Sequence, residues 1–275
     1  MAVNRRRRLL RSGGRDNTAA EVLRTMGPRT FFAEITVLRT TVKSALKRLG
    51  VDIKRLSPSS NFGLQIARIV VDNGYDLVFD IGANCGQFAA ELREYGYRGT
   101  IVSVEPLTAA YARLVEAAAG DPAWHVAPRG ALGAAAGSTT INISGTHASS
   151  SLLAMNSAHE RAAPGSGRVG TEQVDISTLD TLFPQYVTAD EKVFLKIDTQ
   201  GFELEVLKGA LAILPRIEGM LLELSLVELY DDQPLWTEVI AWLKDEGFEL
   251  NGINQGFIDP VSFRTLQVDG VFTRK

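Results

Sequence analysis

The amino-acid sequence predicts an α/β fold built on a mostly parallel sheet with helices on both faces. Three observations carry this expectation. From residue 61 onward, short apolar strand-like runs alternate with helix-like segments. The first of these runs ends in an acidic residue and a glycine-rich turn, the arrangement by which open α/β sheets hold ligands at strand ends. The last two runs follow one another with no helix between them, which adds a C-terminal antiparallel hairpin and makes the sheet mixed.

The bulk numbers suit such a fold. The chain has 275 residues, 45% hydrophobic and 22% charged, enough for one large core with a small appendage. No apolar run approaches the roughly 18–20 residues of a membrane span. The single cysteine, Cys85, excludes an intrachain disulfide and a cysteine-based zinc site. A reducing compartment, the cytoplasm, is expected on that ground.

Charge is unevenly spread. Residues 1–56 carry 14 Lys and Arg against 4 Asp and Glu, whereas the remainder carries 15 against 28. A basic arm that opens with Arg5, Arg6, Arg7, Arg8, Arg11 and Arg15 therefore precedes an acidic body. Only Leu9 and Leu10 follow the arginine run, well short of the roughly 7–15 apolar residues of a secretory signal. The arm reads as a disordered, solvated tail. Peripheral contact with the anionic inner face of a membrane is the alternative, and no nucleic-acid partner is expected.

The elements follow in order. Phe32, Ile35, Leu38, Val42, Ala45, Leu46 and Leu49 recur at helical steps, so Phe31–Leu49 is expected to be a basic amphipathic helix that either caps the body or lies on a membrane surface. Residues 1–60 thus form an arm and helix, and residues 61–275 form the main domain. Within that domain Leu64–Asn73 reads as a helix and Leu77–Ile81 as a buried strand. Gly86–Tyr95 is expected as a helix, Thr100–Val104 as a strand, Thr108–Ala119 as a helix and Trp124–Ala127 as a third strand. The stretch from Gly133 to Gly170, rich in Ala, Gly and Ser, breaks the rhythm and reads as an inserted loop or flap. Val193–Ile197, a helix from Phe202, Met220–Leu224, a helix over Pro234–Asp245, and strands near Phe248–Ile253 and Leu266–Thr273 complete the chain.

The strongest local signal is the run Val78-Phe79-Asp80-Ile81-Gly82-Ala83-Asn84-Cys85-Gly86-Gln87-Phe88. An apolar strand passes through a turn whose glycines allow a ligand to lie against the backbone. The dinucleotide fingerprint G-x-G-x-x-G is absent, because Asn84 stands where its second glycine would be. A phosphate-binding P-loop is absent too, since no lysine follows Gly86. Glu105 ends the next strand, 25 positions after Asp80, where a carboxylate accepts hydrogen bonds from ribose hydroxyls, and Pro106 then turns the chain. The third signal is Lys196-Ile197-Asp198-Thr199-Gln200-Gly201-Phe202-Glu203-Leu204-Glu205-Val206-Leu207-Lys208-Gly209-Ala210.

These motifs resemble those of the FkbM family of methyltransferases. The turn after Asp80, the Glu105-Pro106 pair, the run Ser149-Ser150-Ser151-Leu152, the segment Val174–Leu182 and the Lys196-Ile197-Asp198 signature all take part, over about residues 75–275. The resemblance implies a Rossmann-like class I methyltransferase fold with a seven-stranded sheet, and S-adenosyl-L-methionine as cofactor. It also implies O-methylation of a hydroxyl on a sugar of a glycolipid or polysaccharide, or on a secondary metabolite. Carried onto this chain, Asp80, Gly82, Ala83, Asn84, Gly86 and Gln87 would hold the methionine end and Glu105 and Pro106 the ribose. Ala131 and Leu132 would lie near the adenine, and Ser150 and Ser151 beside the cofactor or acceptor.

A hydroxyl must lose its proton as it is methylated, so a nearby base assists. Asp198 is the first candidate, with Glu223 on the next strand lining the same cleft. His147, beside the serine run, is the second candidate base, and His159 is a weaker one. No metal site is assigned, although Asp198 with Glu223 would offer oxygen ligands. Competing readings are an N- or carboxyl-methyltransferase, a non-catalytic cofactor-binding protein, and a NAD-dependent oxidoreductase.

Overall fold

The computed structural model describes residues 40–275 except His147 and Ala189. The arginine arm, the first part of the Phe31–Leu49 helix and His147 lie outside the described residues. The chain divides into two units, Met1–Leu56 and Ser57–Lys275. In the first, residues 40–48 are helical. Among the described residues no helix is long and apolar enough to cross a membrane.

The second unit opens with helix α1 (Phe62–Asp72), whose N-cap Asn61 accepts a hydrogen bond from the Leu64 amide at 2.7 Å. Then come β1 (Leu77–Ile81), α2 (Gln87–Glu94), β2 (Thr100–Val104), α3 (Thr108–Ala118) and β3 (Trp124–Val126). After the middle of the chain follow β7 (Val193–Ile197), a short helix Glu203–Lys208, β8 (Ile217–Ser225), a helix Trp236–Asp245, β9 (Phe248–Gln255) and β10 (Gln267–Arg274). Seven strands form one sheet in the order β3-β2-β1-β7-β8-β10-β9. The first five run parallel, while β10 runs antiparallel to both β8 and β9. This is the expected mixed sheet, with the final strand inserted inside its predecessor.

Strand alternation builds the two faces. Val78 and Phe194 pack with Ile66 and Leu92 on one side of the sheet. Phe79 and Leu195 pack with Val206 and Leu243 on the other. Each of these large side chains is fully buried and contributes about 1.5–3 kcal/mol of hydrophobic stabilisation. Trp236 and Trp242 pack against the second of these clusters.

The Gly133–Gly170 stretch departs from its reading as a loop. It contains β5 (Gly137–Ser144), which pairs antiparallel with β6 (Arg168–Ser177), and β6 pairs in parallel with β4 (Ala131–Leu132). Every residue of β5 has a partner on β6, but the strand is half exposed and so lacks the apolar signature of a core strand. Among the described residues, 145–146 and 148–167 lie between the two strands as a flap, with a six-residue helix at Ser157–Ala162.

Candidate active site

The carboxyl ends of β1, β2 and β7 open onto a cavity of about 400 Å³, within the range of small-molecule sites. Gly82, Ala83, Asn84 and Gln87 form its wall after β1, and Glu105 and Pro106 its wall after β2. Ala131 and Leu132 close one end, Ser150 and Ser151 enter from the flap, and Asp198 follows β7.

The turn after β1 is shaped by a close approach. Gly82 has φ +73°, and a Cβ there would overlap the Asp198 carbonyl oxygen. The turn and the Asp198 loop are therefore pressed backbone to backbone, which brings the cofactor turn and the candidate base together. Glu105, only 5% exposed, braces the same turn. One oxygen accepts the Asn84 amide at 2.8 Å and the other the Leu107 amide at 2.9 Å. Burial raises its pKa, opposed by those two amides.

Three predicted residues stand elsewhere. Asp80 lies beneath the cavity, fully buried. The register places it between Ser103 and Lys196, and Lys196 Nζ sits 3.0 Å from its Oδ1. Asp80 thus acts through Lys196, which also donates to the Gly82 carbonyl at 3.0 Å and lines the cavity itself. Burial works against the Lys196 ammonium, yet Asp80 and Asp198 outweigh it and hold its pKa above that of an ordinary lysine. Gly86 faces away from the cavity, against the Trp124 ring and Leu114. Glu223 lies behind the wall, its Oε2 accepting from Gln200 Nε2 at 2.7 Å and Gln267 Nε2 at 2.8 Å. Burial raises its pKa well above the usual carboxylate range, reinforced by Asp198, Glu203 and Asp269.

The two histidines among the described residues, His125 and His159, do not line the cleft. His159 is buried in a separate cluster, its Nδ1 3.0 Å from the Ser166 hydroxyl and its ring beside Tyr230 and Phe257. His125 is exposed on β3, with its ring centroid 6.1 Å from that of Tyr186. Cys85 is half-buried, and its thiol donates to Asn84 Oδ1 at 3.1 Å.

Gln200 is the residue that sequence reasoning missed. It is nearly buried, with φ +56°, an uncommon conformation for a long side chain. Its amide nitrogen donates to Asp198 Oδ1 at 2.8 Å as well as to Glu223, and its amide oxygen accepts from the Tyr230 hydroxyl at 2.9 Å. Its carbonyl accepts from the Ser151 hydroxyl at 2.7 Å. Gln200 therefore couples the flap, the Asp198 loop and β8. The signal was a long polar residue directly before Gly201 in the Lys196-Ile197-Asp198 run. Likewise, Lys196 was the one cation within an otherwise apolar strand.

The cavity suits a cationic cofactor that carries a ribose. Each Glu105 oxygen has spent one lone pair on a backbone amide and keeps another for a hydroxyl. Glu91, Glu105 and Asp198 line the cavity, and among the described residues Lys196 is the one Lys or Arg that does, so the surroundings are net negative. Among the described residues no group of three or more His, Cys, Asp or Glu side chains is placed to hold a metal ion.

An open, mostly parallel sheet with a glycine turn after β1 and carboxylates after β2 and β7 is a Rossmann-like fold of the class I methyltransferase type. The Methyltransferase FkbM domain matches residues 80–250. The chain belongs to that family and is an S-adenosylmethionine-dependent methyltransferase. No curated protein matches the sequence. Similar solved structures include Aeropyrum pernix fibrillarin with bound S-adenosyl-L-methionine, at 12% identity and a TM-score of 0.40. That alignment covers 73% of this chain and 66% of fibrillarin, slightly under two thirds of its length. Another is precorrin-6y C5,15-methyltransferase from Geobacter metallireducens, at 11% identity and a TM-score of 0.38, covering 77% of this chain and 88% of the other.

Proposed function

We propose that the protein transfers a methyl group from S-adenosylmethionine to a hydroxyl, on a sugar of a glycolipid or polysaccharide or on a secondary metabolite. The observation that carries this reading is Asp198. Its carboxylate is 40% exposed at the cleft and oriented by the Gln200 amide, so a hydrogen-bond acceptor stands ready where a proton must be lost. Nitrogen acceptors need no such base when they are already neutral, and carboxylate acceptors have no proton to give.

The bound cofactor supplies a methyl already activated on a sulfonium, so alignment is the main demand on the protein. Glu105 would hold the ribose, and the backbone of Gly82–Asn84 would lie against the methionine end. Asp198 accepts the hydroxyl proton as the acceptor oxygen bonds to the methyl carbon. The cofactor would supply the methyl group and keep the carbon–sulfur electron pair, becoming a neutral thioether. The proton then passes from Asp198 to solvent.

Asp198→Asn keeps the shape and one acceptor oxygen but loses the charge. With [methyl-³H]-S-adenosylmethionine and a cell-envelope extract as acceptor, its maximal rate should fall by about 10²-fold. Calorimetric affinity for S-adenosylhomocysteine should stay nearly constant. A near-normal rate would end the role of Asp198 as base. Mass spectrometry of the labelled product distinguishes an O-methyl group from N- or carboxyl-methylation.

A further inference from the structure

The cofactor residues occupy one half of the cavity. Along the sheet, Glu105 follows β2, the glycine turn follows β1 and Asp198 follows β7. The cavity continues past Asp198 over β8 and β10, where Leu221 and Asp269 line it. Phe62 of α1 and Phe88 of α2 line it as well. None of these four residues has a role in the cofactor site described above, and Asp269 lies outside the segment that matches the family.

Strand register sets the geometry of this far half. Ile197 pairs with Leu222, and Asp269 pairs with Glu223. Asp198, Glu223 and Asp269 therefore stand in one row across β7, β8 and β10. Glu223, in the middle, is turned to the Gln200 and Gln267 amides and does not line the cavity. Asp198 and Asp269 do, two strands apart, so their backbones are separated by about 10 Å at ~4.8 Å per strand. That separation suits two different hydroxyls of one molecule better than one shared hydroxyl. Asp269 is also held in place: Asn254 Nδ2 donates to its Oδ2 at 3.1 Å. Oδ1 makes no further side-chain hydrogen bond among the described residues.

The geometry points to Asp269 as a positioning residue that accepts a hydrogen bond from an acceptor hydroxyl other than the one methylated. Phe62, Phe88 and Leu221 supply apolar walls, and Asp269 supplies a fixed carboxylate. Apolar walls with one oriented polar group select a ring that has an apolar face and hydroxyls at its edge. A saturated ring with several hydroxyls meets that description, and a flat aromatic acceptor with one hydroxyl does not use Asp269. The assignment rests on the methyltransferase reading above and adds which residue fixes a second hydroxyl of the acceptor.

The test is a comparison of Asp269→Asn and Phe88→Ala with the wild type. Label transfer from [methyl-³H]-S-adenosylmethionine is followed against increasing amounts of cell-envelope glycolipid extract, with S-adenosylhomocysteine affinity and Tm measured alongside. Both variants should need about tenfold more extract for half-maximal rate, with the plateau lowered far less than in Asp198→Asn and S-adenosylhomocysteine affinity retained. An unchanged half-saturating amount in both variants would overturn the assignment. Weaker S-adenosylhomocysteine binding by a folded Asp269→Asn would overturn it too, by moving Asp269 to the cofactor. If Asp269→Asn does not fold, the half-saturating amount for Phe88→Ala decides. A wild type that neither binds S-adenosylhomocysteine nor transfers label would remove the methyltransferase reading and this one with it.

Discussion

Glu105 faces the cavity and braces its wall through the Asn84 and Leu107 amides. Its replacement therefore acts twice. Glu105→Ala removes acceptors for the cofactor hydroxyls and strands two backbone donors. Cofactor affinity should fall by about 1.5–3 kcal/mol, the scale of a lost hydrogen bond to a charged group. Calorimetry with S-adenosylhomocysteine measures this, and an unchanged Kd would remove Glu105 from the ribose role. Glu105 was legible in the sequence because an acidic residue at a strand end, a fixed distance after a glycine turn, is a local pattern. The partnership of Asp80 with Lys196 was not, since the two are 116 positions apart and meet only through the β1–β7 register.

The cofactor turn and the Asp198 loop act as one piece because Gly82 lets their backbones touch. Gly82→Ala would drive a methyl group into the Asp198 carbonyl oxygen at a positive φ that alanine resists. Gly74 has a similar φ of +67° with nothing near its would-be Cβ. Gly74→Ala should cost about 1 kcal/mol through the backbone alone, and Gly82→Ala several times that. Thermal melting of the two variants separates close approach from conformational preference, and equal losses would contradict the close contact. The glycine turn was visible in the sequence, but the element it touches was not. The β4–β6 sheet also went unread. Its two longer strands, β5 and β6, are half exposed, so they carry neither a continuous apolar run nor a clean alternation.

The folded molecule buries several carboxylates, and that shapes its stability as a function of pH. Glu203 is the clearest case. Burial pushes its pKa up to about 7, although it accepts hydrogen bonds from the Thr199 and Gly201 amides. A carboxyl whose pKa is raised on folding stabilises the fold fully below its unfolded value and loses that contribution as pH rises through about 7. The change is on the order of 3 kcal/mol. Glu91, Glu105, Glu223 and Asp269 are shifted in the same direction. Burial depresses the His159 pKa, so its contribution runs the other way and is lost as pH falls through the ordinary histidine range and below it. Glu203→Gln should flatten the decline of Tm between pH 4.5 and 8. A slope identical to that of the wild type would contradict the burial of an ionisable Glu203.

At this scale the division between sequence and structure is also clearest. The sequence alone determined the α/β class, the strand–glycine turn–helix of β1 and α2, and the acidic ends of β1, β2 and β7. Each of these rests on residues close together in the chain, where apolar periodicity, glycine turns and strand ends leave a local imprint. Only the tertiary structure decided that Asp80 and Gly86 stand back from the cavity, that Gln200 couples Asp198 to the flap, and that Asp269 joins the far wall. Those outcomes depend on β10 inserting between β8 and β9 and on side chains meeting across strands. Such pairings follow from the register of distant segments, and a local oddity such as Gln200 before Gly201 marks a residue without encoding its partners.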